Sequence, residues 1–268
     1  MATLDVDPLA LESFRRDGVA VLKGILSSEW LDRLAVGVET NRQRPGRWAH
    51  QYTVPGQTTG FWSDYVTWQD VPEYTAAVFE SGLAGIARQL MGSTTARFFH
   101  EHVLVKEAGT SERTPWHHDQ PYYCVDGNQS VSMWISLDPV PESSALQFIA
   151  GSHLWDRWFV PRKFIDHVPY APEQDRYEHL PDIDASLSDY RVVTAPVEPG
   201  DVVVFHYRTL HGAPGTEGLS HARRAVSFRW IGDDATFALR PWLHSPPFEQ
   251  NGLVIGGPLD DDRFPVVT

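Results

Sequence analysis

After Gly92 the chain breaks into short β-rich runs. "ARFFHEHVLVK", "SVSMWISLDPV", "ALQFIAGSH", "YRVVTAPVEPGDVVVFH" and "RRAVSFRWIG" follow one another with turn residues between them. Aromatic and β-branched side chains suit a pleated, half-buried surface. Runs this short are stable only when paired, so the pattern predicts an antiparallel sandwich. The part before it reads helix, strand, helix. Asp7 and Pro8 cap "LALESFRRD" and Gly18 stops it; "VAVLKG" suits a buried strand. "SSEWLDRLAVGVE" puts Trp30, Leu31, Leu34 and Val38 on one helical face. Residues 41–70 lose this order in Pro, Gly, Gln and aromatics. One helix is then expected over "PEYTAAVFESGLAGIARQLMG", with Leu83, Ile86, Ala87 and Leu90 buried. Prolines, acids and aromatics over 155–190 read as an insertion across one end of the sandwich. No linker divides the 268 residues, so a single domain is expected: a helical part over 1–92, then a β core over about 93–235.

Composition narrows the function. A formal charge of −13 argues against a nucleic-acid partner, because phosphate-backbone binders usually carry a basic face. No apolar run approaches a membrane span, and the N-terminus lacks a basic stretch followed by an apolar one. Cys124 is the single cysteine, so no internal disulfide forms. A reducing, cytoplasmic setting fits these features. The oligomeric state leaves no trace in the sequence.

The chemistry concentrates in "TPWHHDQPYY". At a strand end, i and i+2 share a face, so His117 and Asp119 point together and His118 points away. One imidazole and one carboxylate need a second histidine to cap one face of a metal, the two-His-one-carboxylate arrangement with open positions opposite. "GDVVVFHYRTLHGAPG" offers His206 and His211. His206 lies within the apolar run, as a core histidine would. His211 follows a strand end and precedes a glycine-containing turn that allows close approach, so His211 is the preferred third donor.

These segments, in this order and spacing, resemble the phytanoyl-CoA dioxygenase family. The resemblance runs from "FRRDGVAVLKGILS" at Phe14 to about Trp230. It implies a mainly β fold with flanking helices, a double-stranded β-helix (jelly roll). It further implies an Fe(II)- and 2-oxoglutarate-dependent dioxygenase that uses O2, hydroxylates a C–H bond and releases succinate and CO2. His117, Asp119 and His211 match the family's iron ligands. Arg223 matches the arginine that grips the far carboxylate of 2-oxoglutarate, a task suited to a planar guanidinium. Strand alternation sets Arg223, Ala225 and Ser227 on one face and Arg224 on the other. Trp134 and His102 match further 2-oxoglutarate contacts. The chain departs from the family at His118, commonly Gln, and at Ser144, often Gly; His118 is expected beside the co-substrate site.

Trp116, Gln120, Tyr122 and Tyr123 are expected around the substrate, with 41–70 and 155–190 as closing lids. The acidic balance favours a small polar metabolite over a CoA thioester. Two other classes share the pattern: a non-oxygenase metal-dependent jelly roll, and a non-catalytic metal- or ligand-binding jelly roll. Neither calls for Arg223.

Overall fold

The computed structural model describes residues 4–52, 59–163 and 168–267. Two antiparallel sheets face each other. The larger, eight-stranded sheet runs Val19–Leu22, Val202–Phe205, Ser130–Ser136, Arg223–Ile231, Ala96–Lys106, Phe61–Tyr65, His50–Tyr52, with Val266–Val267 on the end of Ala96–Lys106. The smaller runs Val192–Ala195, Leu146–Ile149, His211–Ala213, Thr114–His117. This is the jelly roll expected from the strand-rich half.

Alternation gives each face of the large sheet its own partner. Val103, Val105, Met133, Ile135, Val204, Val226, Phe228 and Trp230 turn outward and pack on the helices with Leu34, Leu83, Ile86 and Leu90. Each fully buried side chain of this size contributes about 1.5–3 kcal/mol. Trp134, Val203, Phe205 and Ala225 turn inward, against Leu146 and Phe148 of the small sheet. The inner face also carries the polar residues of the site.

The helices are α1 (Pro8–Asp17), α2 (Ser28–Gln43), α3 (Pro72–Glu80) and α4 (Leu83–Met91). Asp7 and Ser27 accept N-capping bonds from Leu9 and Trp30. The single helix expected over 72–91 is two, because Gly82 adopts φ +83° between them. Gly18 is required at the end of α1. Its φ is +77°, and a Cβ there would meet Thr209 Oγ1 at 2.3 Å. Its carbonyl accepts from the His206 N–H and the Thr209 hydroxyl, which braces the turn leading into His211.

The irregular segment expected over 41–70 is more ordered than its composition suggests. Helix α2 runs on to Gln43, and His50–Tyr52 and Phe61–Tyr65 extend the large sheet. The strand "FWSDY" hides its periodicity because a polar residue, Asp64, is fully buried. Asp64 is satisfied by Asn41 Nδ2 and the Gly46 and Tyr65 amides. The helical part over 1–92 therefore supplies three strands of the large sheet. The insertion over 155–190 holds a short parallel pair, Trp158–Phe159 with Tyr177–Glu178, and a 3₁₀ segment, Asp184–Asp189. Residues 53–58 and 164–167, within the two expected lids, lie outside the described residues. Among the described residues no helix is long and apolar enough to cross a membrane.

Candidate metal centre

Strand pairing brings the two distant histidines together. In the small sheet His211 stands directly opposite His117, with ring centroids 4.2 Å apart. Asp119 lies just past the strand, at φ −71° and ψ −40°. Its N–H and that of Gln120 both donate to the Tyr207 carbonyl. Asp119 Oδ1 is then 3.5 Å from His117 Nε2 and 3.9 Å from His211 Nε2. Ligand atoms of the three residues all lie within 4.8 Å of one another, and all three are buried.

The outer ring nitrogens are tied to backbone. His117 Nδ1 bonds the Pro115 carbonyl at 2.8 Å and His211 Nδ1 the Thr209 carbonyl at 2.9 Å. A carbonyl only accepts, so Nδ1 carries the proton and each Nε2 keeps its lone pair toward the shared point. Burial, with the neighbouring His117, pushes His211 down to about 3, so its imidazole is neutral near pH 7. Burial opposes the charge on Asp119. The Arg229 guanidinium, aided by both histidines, outweighs it and holds the carboxyl well below its usual range. Two imidazoles and one carboxylate, aimed at one point and supported from behind, suit a divalent transition metal.

The donors open into a cavity of about 220 Å³. The inner face of the large sheet lines it in register. Arg223 pairs with Lys106, Ala225 with Leu104, Ser227 with His102 and Trp134, and Arg229 with His100 and Ser132. Arg223 is 5% exposed and donates to the Ser144 carbonyl, yet has no carboxylate partner among the described residues. Burial alone pushes it down to about 10. Trp134 and His102 also line the cavity, and His102 Nε2 has no hydrogen-bond partner among the described residues. Arg224 faces outward and makes a two-pronged bond to Asp138, at 3.0 and 2.7 Å.

Other expected site residues fall elsewhere. His118 does not border the cavity; its Nε2 accepts the Phe159 N–H at 3.0 Å beneath the insertion. The strand alternation that turns His117 inward turns its neighbour away. Trp116 also faces the insertion, donating to Asp184, and Gln120 donates to the Gly127 carbonyl. Tyr122 and Tyr123 do line the cavity. His206 is satisfied away from it, donating to the Asn128 carbonyl and accepting the Arg208 N–H. Ser144 contributes through its backbone, as the acceptor of Arg223.

The sequence pattern did not single out Arg229, Lys106, Ser132, Arg162, Tyr170 or Ser245, all buried or half-buried at the cavity or behind Asp119. Continuing the alternation from Arg223 through Ser227 reaches Arg229, so that signal was present. Arg162 and Tyr170 come from the 155–190 insertion expected over the site, though neither residue stood out within it; Ser245 arrives from a distant loop and had no signal.

A family model, phytanoyl-CoA dioxygenase (PhyH), matches residues 14–225. The chain belongs to the phytanoyl-CoA dioxygenase family. The curated protein Dioxygenase FrzG of Cladobotryum sp. is 24% identical over 238 residues, covering 82% of this chain and 72% of FrzG. Among solved structures, the non-heme alpha-ketoglutarate-dependent carbocyclase SnoK from nogalamycin biosynthesis aligns over 98% of this chain and 97% of its own. That alignment has a TM-score of 0.76 and 25% identity. The epimerase SnoN, solved with Fe3+, alpha-ketoglutarate and nogalamycin RO, aligns over 97% and 99%, at TM-score 0.75 and 21% identity. The last of these shows likeness of fold.

Proposed function

We propose that this family member is an Fe(II)- and 2-oxoglutarate-dependent dioxygenase that hydroxylates a C–H bond of a small polar molecule. The observation that carries the reading is a pairing within one cavity: the convergent His117–Asp119–His211 donors, and Arg223, a buried guanidinium without an acidic partner among the described residues. A buried unpaired charge is costly, and a carboxylate-bearing co-substrate would offset that cost. His117 and His211 through Nε2 and Asp119 through Oδ1 would hold the iron. Arg223 would grip the far carboxylate of 2-oxoglutarate, with Trp134 and His102 alongside.

When bound, Fe(II) with 2-oxoglutarate and O2 supplies the oxidising power to replace a C–H by C–OH, releasing succinate and CO2. The chain's own residues bind, orient and exclude water. Phe205, Leu146 and Trp134 give the cavity an apolar wall. Tyr52, Tyr65, Tyr122 and Tyr170 also line it, with aromatic rings able to pack on a substrate. A carboxylate ligand at Asp119 favours hydroxylation over halogenation, which leaves that position to a halide.

The test is anaerobic titration of 2-oxoglutarate into Fe(II)-loaded protein. A visible charge-transfer band that saturates with 2-oxoglutarate is expected. A metal-loaded protein that forms no such band would favour a non-oxygenase metal enzyme. Substrate-stimulated succinate release across candidate metabolites then identifies the substrate, and product analysis separates hydroxylation from epimerisation or ring closure.

A further inference from the structure

Asp119 turns only one carboxylate oxygen toward the histidines. Oδ2 points the other way, to the inner face of the large sheet. Ser132 Oγ donates to it at 3.0 Å, and Arg229 Nε stands 3.5 Å away. Ser132 and Arg229 are direct cross-strand partners, so one rung of the sheet presents both groups. Arg229 is 5% exposed, and Asp119 is its one ion-pair partner among the described residues. Its Nε has no completed hydrogen bond, so the guanidinium retains donor capacity beside Oδ2.

We propose that Arg229, together with Ser132, is a positioning residue that pins the outer oxygen of Asp119 and restricts the carboxylate to one-oxygen binding of the metal. This rests on the reading that the triad holds a metal. A carboxylate swings easily about its last torsion and can offer a metal one oxygen or two. Two histidines and a single oxygen leave three positions of an octahedral ion open; a second oxygen would close one. The proposed chemistry needs all three, two for 2-oxoglutarate and one for O2. A hydroxyl and a guanidinium behind Oδ2 supply that restriction.

The experiment is anaerobic Co(II) titration of the full chain and its Arg229→Gln, Arg229→Lys and Ser132→Ala variants. It reads the dissociation constant and the visible d–d spectrum, with the thermal midpoint of the metal-free protein measured alongside. Loss of an outer partner of a metal ligand costs about 10- to 100-fold in affinity, and that range is expected for Arg229→Gln, with a shifted d–d spectrum. Arg229→Lys should recover part of the affinity, because the charge remains. Ser132→Ala removes a single hydroxyl, and should weaken Co(II) binding less but shift the spectrum in the same sense. Wild-type affinity and spectrum in Ser132→Ala and in folded Arg229→Gln would overturn the proposal. If Arg229→Gln does not fold, an unchanged spectrum and affinity in Ser132→Ala overturn it alone. A wild-type chain that takes up no Co(II) would instead overturn the metal reading beneath it.

Discussion

Arg223 and Arg229 lie on one strand, point into one cavity and are equally buried, at 5% exposure each. Their surroundings differ. Arg223 has a backbone carbonyl and no acid, and burial alone lowers its pKa to about 10. Arg229 has Asp119 within 3.5 Å. A buried cation with an internal carboxylate is part of the scaffold, and truncating its partner leaves an uncompensated charge. On the proposed reading, Arg223, without one, would take its anion from outside. Residue type and strand parity are identical at the two positions, so only the opposing element separates their roles: the turn carrying Asp119 at one end, the Ser144 carbonyl at the other.

The strongest test of this division removes the metal donors. His117→Ala, Asp119→Ala and His211→Ala should each abolish measurable Fe(II) or Co(II) uptake while the β core stays folded, read by metal titration and circular dichroism. Asp119→Ala should also leave Arg229 uncompensated and be the least stable of the three. An active His211→Ala beside an inactive His206→Ala would reassign the third donor.

The outward face of the same strand should behave in the opposite way. Phe228, fully buried against the helices, separates Ser227 from Arg229. Phe228→Ala should lower unfolding free energy by about 3–5 kcal/mol through lost burial and a residual cavity. Metal affinity of the folded protein should stay near wild type. Chemical denaturation and Co(II) titration check the two halves, and a large loss of affinity would show that the two faces are coupled.

Arg223→Lys tests the unpaired end. Charge is kept and the fork is lost, so the requirement for 2-oxoglutarate should rise by about 1.5–3 kcal/mol, roughly ten- to a hundredfold. Metal affinity should not change. Anaerobic 2-oxoglutarate titration of the Fe(II)-loaded variant measures this. The smallest effect is expected at Arg224→Lys. Its side chain is 39% exposed and paired with Asp138, a class of contact worth about 0–1 kcal/mol. A large effect there on 2-oxoglutarate, with none at Arg223, would reverse the strand's assigned parity.

Local pattern made much of this protein legible. The β-rich texture after Gly92 foretold a sandwich, the cap at Asp7 marked a helix start, and alternation placed Arg223 and Arg224 on opposite faces. The spacing of His117 and Asp119 suggested a pair, but the strand ends at His117, and Asp119, in helical conformation, is held toward it by the Tyr207 carbonyl. Where pattern failed, a non-local partner had overridden it. The strand Phe61–Tyr65 hides its periodicity because it buries a polar residue, Asp64, which Asn41 and Gly46 satisfy. The helix expected over 72–91 breaks at Gly82, which takes a left-handed conformation.

What the sequence alone determined is therefore the set of short-range relations: which residues alternate, which cap, which stand two apart. Tertiary structure decided every convergence. Register in the small sheet set His211 opposite His117. The insertion drew His118 and Trp116 away from the cavity. Cross-strand pairing set Ser132 and Arg229 behind Asp119. Such meetings join elements far apart in the chain. They are selected by burial and by the need to satisfy buried polar groups across the whole core, and no local window of sequence carries that information.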